Sequence, residues 1–189
     1  MKRTNYFCFV VLAMSLSIFS SCKQIDKATT ISVSVPDFTV DIPATLSSVN
    51  SSSALRAAGD FRDFSGSATI DLSDPNFAEL AKYKDMITSV NVGTAVVTMT
   101  ASTGTAAKNV VTSASGVTPD YTISSYTFGD QFSMPDFVTY TNKVFNQLIK
   151  AGSLNVSISG QTDIDDTTGQ VIVSIHFGNI EVKAQILNL

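Results

Sequence analysis

From residue 31 onward the chain alternates apolar and polar side chains with a period of two, and that rhythm limits its fold more than any other feature. A strand turns successive side chains to opposite faces, so alternation marks a strand with one face in a core and the other in water. Ile31, Val33 and Val35 alternate with Ser32 and Ser34, but beyond Pro36 the apolar set is Phe38, Val40 and Ile42, on the other parity. A one-residue slip reverses the faces of a strand, so Pro36 marks a bulge or a crossing between sheets. Phe64, Ala68, Ile70 and Leu72 share one parity, and further strands read at 88–101, 107–115, 120–128, 153–161, 170–177 and 179–187. Gly93 and Gly178 interrupt two of these as candidate bulges. Residues 43–60 are rich in Ser and Ala, show no period, and read as a long loop.

Two segments break the alternation. Ser133-Met134-Pro135-Asp136 offers a cap residue, an early proline and an acid in the first turn. Phe137, Thr141, Val144, Phe145 and Leu148 then follow helical spacing, and Gly152 supplies the stop. An earlier helix starts at Ser73-Asp74-Pro75, with Asp74 in a capping role, carries Phe77, Leu80 and Ala81, and fades near Lys84. So short a helix needs a sheet to pack on.

The two starts share the pattern S-x-P-[DN]-F, as Ser73-Asp74-Pro75-Asn76-Phe77 and Ser133-Met134-Pro135-Asp136-Phe137. The strands that follow also match, Ser89-Val90-Asn91-Val92 against Ser153-Leu154-Asn155-Val156. This suggests an internal strand–helix–strand repeat, with convergence on good capping chemistry as the alternative. The expected fold is mainly β, an antiparallel β-sandwich of about 7–9 strands with two short helices over its ends or open face.

Composition narrows the chemistry. The chain has 12 Lys and Arg against 16 Asp and Glu, with no basic cluster, which disfavours nucleic acid as a partner. One His, two Cys and no Trp exclude a disulfide framework, a Cys/His zinc site and most histidine-dependent catalysis.

The N-terminus carries an address. Lys2 and Arg3 precede an apolar run from Phe7 to Phe19, too short to span a membrane, which gives way to Ser20-Ser21-Cys22. Phe19-Ser20-Ser21-Cys22 resembles the lipobox of bacterial lipoproteins. The resemblance implies cleavage between Ser21 and Cys22, a diacylglycerol on the Cys22 thiol and an acyl chain (palmitate) on the new N-terminus. Phe19 departs from the Leu more usual there, and an ordinary secretion signal is the alternative. A chain that keeps only Cys22 after cleavage fits capping of that thiol, since a lone thiol is a liability in an oxidising compartment. Several acyl chains hold a protein firmly to a bilayer, whereas one holds marginally. The expected organisation is a leader at 1–21, a tether at 22–30 and one β-sandwich-like domain at 31–189. With no Asp directly after Cys22, the expectation is the outer membrane, on its periplasmic or surface face.

Few residues invite chemistry. Asp163, Asp165 and Asp166 before Gly169 form a weak calcium candidate, since a hard cation wants several oxygens. They also lie between two strands, where Asp, Thr and Gly are ordinary turn residues. His176 has parity opposite to Val173, Ile175 and Phe177, points away from the core, and has no nucleophile in a recognisable motif. Only Glu79 and Glu181 represent glutamate, and sugar stacking would fall to Tyr83, Tyr121, Tyr126 or Tyr140. Arg56 in the Ser/Ala loop offers a protease site.

No cofactor, catalytic residue or metal is expected. In overall build the chain resembles the small envelope lipoproteins of Bacteroidetes-type bacteria, a likeness that implies no activity. It reads as a non-enzymatic binding or structural protein, an accessory subunit of an envelope or surface complex with a protein partner. One alternative is a pilus- or adhesin-type subunit that assembles by strand exchange through a removable segment Ile31–Ile42. Another is a carrier whose Phe137, Val144, Phe145 and Leu148 line a cavity for an apolar ligand rather than fill a core.

Overall fold

Nine antiparallel strands carry the fold in the computed structural model, which describes residues 29–47, 61–164 and 169–186. The strands are β1 (Thr29–Val35), β2 (Phe38–Leu46), β3 (Arg62–Asp71), β4 (Ile87–Ala101), β5 (Ala106–Ala114), β6 (Tyr121–Thr127), β7 (Gln131–Phe132), β8 (Ser153–Thr162) and β9 (Gln170–Ile186). They form one hydrogen-bonded sheet in the order β6-β5-β8-β3-β2-β9-β4-β7, with β1 also on β9. Among the described residues, the ladder between its two halves, β6-β5-β8-β3 and β2-β9-β4-β7, is short, pairing Ala44, Thr45 and Leu46 with Gly66, Ser65 and Phe64. The apolar faces of both halves and of the long helix contribute to a single core.

The sheet curls until its ends approach. The Tyr126 hydroxyl on β6 accepts the Met99 amide of β4 at 2.9 Å and donates to the Asp130 carbonyl. The Gly129 amide donates to the Met99 carbonyl at 2.9 Å. The Tyr121 ring on β6 lies 6.3 Å from the Phe132 ring on β7. Burial and backbone pairing act together here, since an edge turned inward leaves fewer amides without partners.

The residues at which the alternation breaks turn out to be neighbours. Val35 and Phe38 on β1 and β2, Phe177 and Ile180 on β9, and Val92 and Ala95 on β4 are buried pairs three residues apart. They lie side by side, with Val35 and Val92 both opposite Ile180, and Phe38 and Ala95 both opposite Phe177. Three adjacent strands therefore reverse faces at one level, at Pro36-Asp37, Gly178-Asn179 and Gly93-Thr94. The register runs through without a shift. This corrects the expectation of separate one-residue bulges, because each strand makes the same step and no residue is left over. A Cβ on Gly93 would come within 2.8 Å of the Asn179 side chain, and one on Gly178 within 2.8 Å of Thr94 Oγ1. The two glycines are needed so that the strands can meet at this corner. The expected strands 170–177 and 179–187 are accordingly one, β9, bent but unbroken. Register shifts occur elsewhere, at Ile87/Ser89 and at Lys108/Val111, the second around Asn109 with φ 50°.

The helices are unequal. The first expected helix is a broken turn: a 3-10 turn at Pro75–Phe77, α1 (Ala78–Lys82) and a second 3-10 turn at Lys84–Met86. Asp71 organises its entry, its Oδ1 accepting the Ser73 amide at 2.7 Å, and the Asp74 carbonyl accepts the Phe77 amide. Those hydrogen bonds from Ser73 hold the Asp71 carboxyl below the usual value. The second helix, α2 (Pro135–Ala151), is long rather than short. Its N-cap is Met134 and not the expected Ser133, with Pro135 at the first position, where the missing amide costs nothing. Gly152 ends it at φ 83°. Phe137, Thr141, Val144, Phe145 and Leu148 are all buried as their spacing requires, with Tyr140 and Ile149 beside them.

The matched segments occupy matching places in the topology. Each helical connection leads from one half of the sheet to the other, from β3 to β4 and from β7 to β8. The strand after each helix is flanked by the strand that precedes the other helix: β4 by β7, and β8 by β3. On their other sides lie β9 and β5 respectively. The copies are unequal, since β7 has two residues and β3 has ten.

Candidate functional site

The α2 helix borders two adjoining concave surfaces. Its inner stripe faces the core, and its flank meets the β5–β6 loop at 115–120, which contains the cis Thr118-Pro119 peptide. Between them lies a cavity of about 380 Å³ lined by Pro119, Asp120, Tyr121, Asp136, Tyr140 and Lys143, among others. A second hollow of about 480 Å³ continues along the helix past Lys143 to Gln147 and Lys150. Both lie within the size range of small-molecule sites.

The wall of the first cavity is aromatic. The Tyr121 and Tyr140 rings are 5.8 Å apart, and Phe137 backs Tyr121 at 5.0 Å. Tyr140 Oη donates to the Thr112 carbonyl at 3.1 Å, which locks the ring. Burial, helped by the Asp120 charge, pushes the Tyr140 hydroxyl up to about 12. Burial and Asp136 likewise raise Tyr121. Asp120, Asp136 and Lys143 are exposed at the rim. Such a groove can bind a ligand by stacking and by directional hydrogen bonds. Its two carboxylates, Asp120 and Asp136, lie in water rather than in the apolar surroundings that raise a catalytic acid.

Of the four tyrosines read as stacking candidates, the fold brings Tyr121 and Tyr140 together. Tyr126 lines a separate cavity of about 430 Å³ with Phe61, Lys108 and Phe132, where Lys108 Nζ sits 3.7 Å over the Phe61 ring. Tyr83 lies apart, between α1 and the 3-10 turn that follows it.

His176 is exposed on the outer face, as its parity implied, but it has company that the sequence did not reveal. Thr39 lies opposite it across β2 and β9, with Oγ1 at 3.2 Å from Nδ1, and Asp37 Oδ2 is 4.0 Å from Nε2. A hydroxyl, an imidazole and a carboxylate thus stand in a row, on an open sheet face. The Asp37 carboxylate also accepts the Asn179 amide at 3.1 Å, which ties the row to the corner where the strands reverse.

Asp163 has a structural task. Its Oδ1 accepts the Thr105 and Ala106 amides, each at 2.9 Å, and its Oδ2 accepts the Thr105 hydroxyl at 2.6 Å. Burial pushes the carboxyl up, but the Thr105 hydroxyl and the two amides outweigh it and hold the group below its ordinary value. The Asp163 carboxylate is therefore committed to clamping the β4–β5 turn. Asp165 and Asp166 lie outside the described residues, as do Ser21, Cys22 and Arg56. Glu79 is in α1, and Glu181 is exposed on β9. Among the described residues no three His, Cys, Asp or Glu cluster as metal ligands, and no helix is long and apolar enough to cross a membrane.

The lowered Asp163 value sets a pH dependence. A carboxylate with a depressed folded pKa stabilises the fold above its unfolded value, near 3.9, and that contribution fades as pH falls through the lower, folded value. Urea unfolding of Asp163→Asn is expected to show a smaller loss of stability than wild type between pH 5 and about pH 2. An equal loss in both proteins would show that the clamp carries no charge-dependent stability.

Sequence reasoning missed Asn142 and Asn146 on α2. Asn142 Oδ1 accepts the Val92 amide at 2.7 Å and its Nδ2 donates to the Val92 carbonyl at 3.2 Å. Asn146 does the same for Val90, at 3.4 and 3.2 Å. Four residues of helix rise about 6 Å and two of strand about 6.8 Å, so two asparagines one turn apart meet alternate strand residues. The available signal was a pair of poor helix formers, four residues apart, inside a strong helix.

No family model matches the chain, and no curated protein matches it in sequence.

Proposed function

We infer that this chain is a lipid-anchored protein of the cell envelope that binds a partner rather than transforming a substrate. The observation that carries this reading is the leader: a basic start, a 13-residue apolar run from Phe7 to Phe19, and the small-residue exit Ser20-Ser21-Cys22. Acylation of Cys22 would fix the domain to the outer membrane. The seven steps of chain from Cys22 to Thr29 reach at most about 25 Å, so the domain would work close to the lipid surface. The groove between α2 and the β5–β6 loop supports a binding role, since aromatic walls and rim charges suit recognition. The His176 and Asp37 side chains of the outer-face row are at least half exposed to water, which argues against hydrolysis there.

Expression of Cys22→Ala in a Gram-negative host with labelled palmitate tests the anchor. The wild-type chain should take up label and fractionate with membranes, whereas the variant should take up none and move to the soluble periplasmic fraction. A variant as labelled and as membrane-bound as the parent would falsify the reading.

A further inference from the structure

Every amide at the edge of a sheet needs a partner or water, and this fold treats its edges unequally. The outer edge of β4 is met at five residues: Asn146 takes Val90, Asn142 takes Val92, β7 takes Val97 and Thr98, and Tyr126 with Gly129 takes Met99. The β6 edge is turned toward β4 and β7 by the Tyr126 and Tyr121 contacts. Where β2 and β3 part, Phe77 packs on Phe38 at 4.8 Å. β1 is different. It pairs with β9 through seven residues, Thr29 to Val35 against Ile186 to Ile180, and among the described residues no strand pairs its other edge.

That edge also lacks the usual guards. Natural edge strands carry charges, prolines or bulges that discourage pairing. β1 reads Thr-Thr-Ile-Ser-Val-Ser-Val, uncharged, mostly β-branched and without proline, and its register with β9 is unbroken. No charge occurs from Ala28 to Pro36, in a chain that is acidic overall.

We propose that β1 is a homodimer interface, pairing antiparallel with β1 of a second copy to continue the sheet across a twofold axis. The sequence is self-complementary in that arrangement. With the axis at Ser32, Ile31 lies opposite Val33 of the second copy, Thr30 opposite its Ser34, and Ser32 opposite its own counterpart. Over the central five residues, Thr30 to Ser34, apolar residues meet apolar ones and hydroxyls meet hydroxyls; only the end pair, Thr29 opposite Val35, is mixed, and no like charges face each other anywhere along the strand. An edge strand of another protein would need no such symmetry, and an uncharged strip spares two acidic bodies of this kind like-charge contact where they meet. An isologous twofold contact of this sort closes on itself and does not run on into a fibre. The inference stands independently of the lipid anchor.

Ser32 lies opposite Lys183 on β9, which allows a decisive variant. Ser32→Glu gains an opposite charge within its own subunit, so the fold should be kept. Across the twofold it sets glutamate against glutamate. Full-length protein in detergent micelles, followed by sedimentation equilibrium, should be dimeric at about 100 μM. Ser32→Glu should raise the dissociation constant about five-fold or more. Ser32→Lys should also dissociate, and mixing the two variants should restore a heterodimer. Wild-type protein that sediments as a monomer overturns the proposal. So does a dimer that Ser32→Glu leaves as tight as before, since its interface would lie elsewhere.

Discussion

Phe145→Ala is expected to lower the unfolding free energy by about 3–5 kcal/mol, the range for emptying a buried aromatic site. Phe145 is 1% exposed, and its ring lies 5.1 Å from Phe177, 5.9 Å from Phe38 and 6.4 Å from Phe77. Those neighbours come from β9, β2 and the broken turn before α1, so one side chain holds the helix to three separate segments. Each is itself locked: Phe38 meets Phe77 edge-on at 4.8 Å and Phe177 at 5.3 Å. Edge-to-face rings of this kind contribute beyond the area they bury. The site cannot collapse readily around an alanine, because strands on two sides fix the walls. A domain of this size is stable by only about 5–15 kcal/mol, so the variant should approach the folding threshold. Urea unfolding should show a lower midpoint with an unchanged slope. Phe145→Leu, which keeps most of the volume, should cost roughly 1–2 kcal/mol. A loss below 1 kcal/mol for the alanine variant would mean that the stripe on α2 is not core. The same packing bears on the carrier alternative, because Phe145 meets rings on three sides.

Asn142→Leu is the second large effect, expected at about 2–6 kcal/mol from two orphaned backbone groups at roughly 1–3 kcal/mol each. Val92 is 1% exposed, so water cannot readily replace the lost carboxamide. Leucine matches asparagine in shape well enough that the cost should reflect hydrogen bonding rather than a cavity. The same change at Asn146 should cost less, because its acceptor contact with Val90 is the longer one at 3.4 Å. Hydrogen exchange gives an independent readout. The Val92 amide should exchange faster in Asn142→Leu by more than the global loss of stability explains, since its bond is removed even in the native state. An exchange rate that merely follows global stability would contradict the edge-sealing role.

The two asparagines also show where reading a sequence stops. On a helical projection Asn142 and Asn146 lie beside the apolar stripe, where polar residues normally meet water, and only the adjacent edge of β4 gives them work. Tyr121 and Tyr140, nineteen positions apart, could be named as aromatic candidates from the sequence, but their meeting depends on α2 lying against β5 and β6. Thr39 and Asp37 are invisible as partners of His176 until β2 pairs with β9. The Ser133 cap was expected on good propensity grounds, yet Met134 occupies that place because Pro135, with its fixed φ, sets the first turn.

Local periodicity determined a great deal by itself. It marked the strands, the buried face of α2, its stop at Gly152 and the position at which the faces reverse after Pro36, because each depends on the spacing of a few neighbouring residues. The interrupting glycines at 93 and 178 were equally visible, but that they lie at one level beside Pro36 was not. The order of the strands, the near closure of the sheet, the contacts that seal β4 and the pairing of β1 with β9 alone among the described strands were decided only in three dimensions. Those features depend on contacts between residues far apart in the chain, and alternation records which face a strand buries but not which strand lies beside it.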